Sequence, residues 1–85
     1  MYKLITIEMK AWLNRRDGSK NIIQILPDRP DLVAQRYELY TAYEEHTEHL
    51  GRILFDDEGY WIYDGNDLSV DEQEQLATFI LGFGR

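Results

Sequence analysis

Residues 52–83 contain a hairpin followed at once by a capped helix, and no other stretch restricts the fold as strongly. Two apolar and aromatic runs, 52–55 and 60–63, flank Asp56-Asp57-Glu58-Gly59, and a glycine free to take positive φ closes such an acidic turn. A four-residue loop pairs Phe55 with Tyr60, Leu54 with Trp61, Ile53 with Ile62 and Arg52 with Tyr63. Pleating then sets Ile53, Phe55, Tyr60 and Ile62 on one face, and Arg52, Leu54, Trp61 and Tyr63 on the other. Ser69 stands three residues before Glu72, the spacing at which hydroxyl and carboxylate each reach the other residue's backbone N–H. A helix therefore starts here, with Leu76, Phe79, Ile80 and Phe83 on one stripe, Glu74 off it, and Gly82 or Gly84 as terminator.

Upstream, the odd positions Ile5, Ile7, Met9, Ala11 and Leu13 are apolar, while Thr6, Glu8, Lys10 and Asn14 alternate with them, Leu4 and Trp12 excepted. That period of two predicts a first strand from Lys3 to Leu13 with one buried face. Asp17-Gly18 marks a reversal and the β-branched stretch 21–26 a return strand. A three-residue loop would set Leu13 and Ala11 against Ile23 and Ile25, before Pro27-Asp28-Arg29-Pro30 ends the strand.

Segment 31–50 has two readings. It contains no glycine, proline or asparagine, so a turn within it is hard to place; Asp28 or Asp31 could cap a helix, Leu32, Val33, Leu39, Tyr40 and Tyr43 recur at helical spacing, and Gly51 suits a left-handed C-cap. The order is then ββαββα, a small two-layer α+β domain with an antiparallel sheet of two hairpins and two helices. Against this, the aromatic and β-branched residues of 37–43 suit a strand. Strand within 31–50 gives instead a five-stranded meander with one C-terminal helix.

Eighty-five residues make one domain, 1–85, with a small core. At 44% apolar residues and two prolines, the composition is that of a folded chain. No apolar run approaches the roughly 20 residues of a membrane span, the start lacks a secretory core, and cysteine is absent, so a soluble cytoplasmic protein is expected. The net charge of −7 is unevenly spread: residues 1–36 hold seven Lys or Arg against four Asp or Glu, and residues 37–85 hold two against twelve. A surface of this sign repels phosphate, and no basic stripe interleaved with aromatics is present, so direct binding of nucleic acid is not expected.

Chemistry-bearing motifs are sparse. His46 and His49 with Glu45 and Glu48 supply two imidazoles at helical spacing where zinc requires three or four convergent ligands, so no metal is expected there. Asp64-Gly65-Asn66-Asp67 and the acidic turn before it fail the calcium-loop spacing, because Tyr60 and Ile62 occupy ligand places; turn-forming carboxylates bonded to their own backbone explain them better. No nucleophile elbow, phosphate loop or paired acid and base is present, and no cofactor or catalytic residue is expected.

The remaining signal is the aromatic excess. Helices of so small a domain cover one sheet face, leaving Trp12, Leu54, Trp61 and Tyr63 with Arg52 on the other as anchors of a protein interface, unless the tyrosine-rich segment 37–43 covers that face too and makes the aromatics core. Glu44, Glu45, Glu48, Asp56 and Asp57 would steer a basic partner. The leading expectation is a non-enzymatic interaction or regulatory module binding another protein or its own copy. Two alternatives are an acidic mimic of nucleic acid that blocks a DNA- or RNA-binding protein, and a small metabolite-binding or hydrolytic domain.

Overall fold

A computed structural model describes residues 8–27 and 35–83. The predicted beginning of the first strand before Glu8, the Pro27 to Pro30 stop beyond its first residue, the caps Asp28 and Asp31, Leu32, Val33 and Gly84 lie outside those residues, as does the Phe83 side chain.

Among the described residues five strands, β1 (Met9–Asn14), β2 (Lys20–Pro27), β3 (Gln35–Thr41), β4 (His49–Phe55) and β5 (Trp61–Asp64), precede one helix, α1 (Val70–Phe83). They form a single antiparallel meander in the order β1-β2-β3-β4-β5. The α+β class and the meander follow the second of the two readings of segment 31–50; the helical reading of that segment is not the one observed. Its strand character lies in strict alternation: Tyr37, Leu39 and Thr41 turn inward, while Arg36, Glu38 and Tyr40 are only half-buried on the outer side. The turn into β4 escapes a composition-based search because its positive φ falls on Tyr43 (60°) rather than on glycine or asparagine. Thr41 closes that loop, donating its N–H to Glu48 (3.0 Å) and accepting the Glu48 N–H on its hydroxyl (2.9 Å).

Both hairpin turns have the same construction. Gly18 donates to the Arg15 carbonyl and Arg15 to that of Ser19; likewise Gly59 donates to Asp56 and Asp56 to Tyr60. Gly18 and Gly59 have φ of 90° and 91°, so each loop is a β-turn closed by a left-handed glycine, three residues between a bonded pair. In the first hairpin this places Ala11 opposite Ile23 and Met9 opposite Ile25, two residues from the expected register and on the expected faces. In the second the loop is one residue different from expectation, and the consequence is larger. Phe55 pairs with Trp61, Leu54 with Ile62, Ile53 with Tyr63 and Arg52 with Asp64. A slip of one exchanges the two faces of a strand. Trp61 and Tyr63 therefore join Ile53 and Phe55 toward the core, and Tyr60 and Ile62 are the exposed pair.

A bulge corrects the phase of β4. Leu39 opposes Gly51 but Tyr40 opposes His49, which leaves Leu50 as the extra residue. In unbroken register Leu50 would sit opposite Tyr40 on the outer face; instead it is buried, and the His49 ring stacks on Tyr40 at 4.9 Å. Gly51, with φ of 108°, makes the bulge possible. The Tyr63 ring lies where a side chain at 51 would go, its hydroxyl donates to the Leu50 carbonyl and it accepts the Asp67 N–H at 3.2 Å. Tyr63→Phe keeps the ring and leaves that carbonyl without its partner; a loss of about 1–2 kcal/mol is expected by urea titration, and an unchanged midpoint would assign the hydroxyl no structural part.

Helix α1 supplies the second layer and lies closest to β1. Leu76, Ala77 and Ile80 are buried with Leu68 against Met9, Leu13, Ile23, Leu39 and Ile53, while Phe79 and Leu81 are partly buried beside them. The capping box is present as its spacing requires: Ser69 N–H to Glu72 Oε1 at 2.8 Å and Glu72 N–H to Ser69 Oγ at 3.2 Å. Glu72 is only 4% exposed and also pairs with Arg15 (Nε to Oε2, 3.0 Å), so one carboxylate both starts the helix and ties it to the β1–β2 turn.

Burial alone would raise the Glu72 pKa, but the Ser69 N–H and hydroxyl, the Arg15 charge and the Arg16 N–H outweigh it and hold it below the usual value of 4.5. A carboxyl depressed on folding contributes stability above its unfolded pKa and loses it as pH falls through the folded one. Glu72→Gln is thus expected to cost about 1–2 kcal/mol at pH 7. The gap to the wild type should narrow steadily as pH drops below 4.5. Urea titrations across that range check it, and a gap independent of pH would contradict the charge-based account.

Candidate functional site

With α1 on one side of the sheet, the opposite face is bare of any described element, and the sequence dictates its composition. It carries Lys10, Trp12 and Asn14 from β1, Lys20, Ile22, Gln24 and Leu26 from β2, Arg36, Glu38 and Tyr40 from β3, His49, Arg52 and Leu54 from β4, and Ile62 and Asp64 from β5. Cross-strand neighbours are matched in charge along its middle. Arg52 reaches Glu38 (Nε to Oε2, 2.9 Å) on one side and Asp64 (2.8 Å) on the other, and Glu38 also pairs with His49 at 2.7 Å. Arg52, an expected interface residue, is thereby engaged within its own sheet.

The apolar members fall at two ends. At one, Leu54 is half-buried beside the 66% exposed Ile62. At the other, Trp12 is 66% exposed and opposes Ile22, and the Lys10 ammonium sits 5.8 Å from the centroid of the Tyr43 ring. Lys10 is held by Glu8 (2.9 Å), which also accepts from Gln24 at 2.6 Å. The hydrogen bond to Lys10 is the main reason the Glu8 carboxyl lies below its ordinary pKa, and the same bond raises that of Lys10.

In sequence Tyr43 reads as one member of a helical stripe or as the end of a strand-like segment, not as a turn residue. It is 79% exposed and has a backbone conformation that side-chain-bearing residues rarely adopt, at a cost of about 1–3 kcal/mol. No composition signal marks such a position; only the closed loop reveals it.

The expected site residues divide accordingly. Trp12 and Leu54 lie on the open face, at opposite ends. Trp61 and Tyr63 do not: the register of β5 turns them to the helix side, where they pack on the core. Glu44, Glu45 and Glu48 are exposed in the Tyr43 loop, next to the Trp12 end. Asp57 is exposed in the β4–β5 turn, whereas the Asp56 carboxylate accepts the N–H groups of Glu58 and Tyr60, both at 2.9 Å, and so builds the turn. Asp17 does the same for Ser19 in the first hairpin.

Among the described residues no group of three or more His, Cys, Asp or Glu is placed to hold a metal ion, and no helix is long and apolar enough to cross a membrane. Comparison of the chain with protein-family models, with curated proteins and with solved structures finds no match.

Proposed function

We propose that this protein is a non-enzymatic interaction module that docks a basic protein surface on the Trp12 end of its open sheet face. The observation that carries the reading is Tyr43: a bulky ring at φ 60° and 79% exposed, whose backbone cost is not offset by burial within the chain. Strain of this kind persists where function requires the displayed group. Around it, Trp12 and Ile22 supply apolar contact area, and Glu44, Glu45 and Glu48 supply the negative rim that speeds encounter with a positive partner. Cysteine-free composition suits a reducing cytoplasm.

The test exploits the separation of strain from binding. Tyr43→Asn puts a residue tolerant of left-handed backbone at 43, so the folded state is expected to be as stable as the wild type or more stable by about 1 kcal/mol. Affinity capture followed by quantitation of recovered proteins should nevertheless show the partner lost from Tyr43→Asn and from Trp12→Ser, and kept by Tyr60→Ser, which alters an equally exposed ring elsewhere. Equal recovery by all four chains would sink the assignment of this face.

A further inference from the structure

The edge of β1 turned away from β2 lies beside α1, and a side chain joins the two at one point. The Gln75 side-chain amide donates to the Asn14 carbonyl and accepts the Asn14 N–H, both at 2.9 Å. Those two bonds are what a neighbouring strand would make with Asn14. Its in-plane polar groups therefore point away from β2. Since a strand repeats every two residues, the N–H and C=O groups of Trp12 and Lys10 point the same way. β1 is a terminal strand, and no described strand pairs with this edge. Unpaired edges of this kind accept extended peptides.

A shallow groove runs between this edge and the helix, lined by Trp12, Asp71, Glu74, Gln75, Thr78 and Phe79. Asp71 is already oriented by Gln75 Nε2 at 2.9 Å, and Glu74 projects into solvent from the same side of the helix. We infer that the groove takes an extended basic segment of a partner protein, added as a sixth strand along Lys10 and Trp12. The inference rests on the reading as an interaction module and names the chemistry of what it binds. Gln75 ends the site, because it occupies the strand position opposite Asn14. The segment residue opposite Trp12 shares the open face with that ring and suits an aromatic side chain. Its neighbour nearer Asn14 points to the helix side, beside Asp71 and Glu74 around Gln75, and there lysine or arginine is favoured.

A fluorescent short peptide with a central tyrosine, lysines on both sides of it and valines beyond provides the probe. Anisotropy with the full chain should show saturable binding, with amide shifts at Lys10 and Trp12. Methylating the tyrosine backbone nitrogen should weaken binding about tenfold, as one hydrogen bond is lost. Combining Asp71→Lys with Glu74→Lys should weaken it at least as much, whereas Glu58→Lys, in the exposed β4–β5 turn, should leave it within about twofold. Indifference to N-methylation, shifts confined to residues 43–48, or a stable dimer with β1 edges paired would each overturn the inference. If the probe fails to bind while Tyr43-dependent capture persists, the edge proposal falls and the interaction face stands. If the probe binds but capture ignores Tyr43, the reverse holds.

Discussion

Gly51→Ala is expected to destabilise the fold by about 3 kcal/mol, the sum of two independent costs. A φ of 108° is unfavourable for any residue with a Cβ, by roughly 1–2 kcal/mol. In addition, a Cβ built at 51 would lie 2.7 Å from the Asp64 carbonyl oxygen and 2.8 Å from the Tyr63 ring, closer than such atoms approach. The ring cannot swing aside freely, because its hydroxyl is bonded to Leu50 and Asp67 and its hydroxyl end is packed against Gly65. Overpacking of this kind costs about 1–3 kcal/mol. For a chain whose total stability is roughly 5–10 kcal/mol, the melting temperature should fall by roughly 15 °C. Gly18→Ala is the control: φ is 90°, but nothing lies within 4 Å of the added atom, so only the backbone cost of about 1 kcal/mol applies. Equal losses at 18 and 51 would show that Tyr63 does not occupy the space above the bulge.

Leu76→Ala should cost about 3 kcal/mol, within the 2–5 kcal/mol range for deleting a fully buried leucine side chain. Leu76 is 0% exposed, on α1, which covers the inner face of the sheet. No second described helix is present to settle into the void, so the cavity term is retained rather than relaxed away. Thr78→Ala, two residues along on the exposed side, should change stability by less than about 0.5 kcal/mol. Equilibrium urea unfolding of the pair checks the prediction, and a Leu76→Ala loss below 1 kcal/mol would mean that α1 contributes little to the core.

The elements written locally in the chain were legible. Ser69 and Glu72 needed only each other to start α1, and Met9, Ala11 and Leu13 needed only a period of two to declare a buried face. What failed did so where two conformations satisfy the same local chemistry. Segment 37–43 has apolar spacing that suits a helix stripe and aromatic and β-branched content that suits a strand, and it is pairing with β2 and β4 that selects the strand. In the acidic turn, loops of four residues and of three are equally plausible by composition, yet the difference sends Trp61 and Tyr63 to opposite sides of the sheet.

The candidate site shows the same division. That Trp12 faces away from the core is implied by its even position among buried odd ones. That Tyr43 stands beside Lys10 on that face, and that Gln75 begins a place for another strand along β1, depend on residues brought together across the sheet and from the far end of the chain. Sequence alone determined the α+β class, the capped helix, the inward row of β1 and the acidic second half. The tertiary structure alone decided the strand in 35–41, the inward turn of Trp61 and Tyr63, and the edge of β1 that no described strand pairs. The reason is that local signals set backbone propensity over a few residues, whereas register and exposure are set by hydrogen-bonded partners distant in the chain.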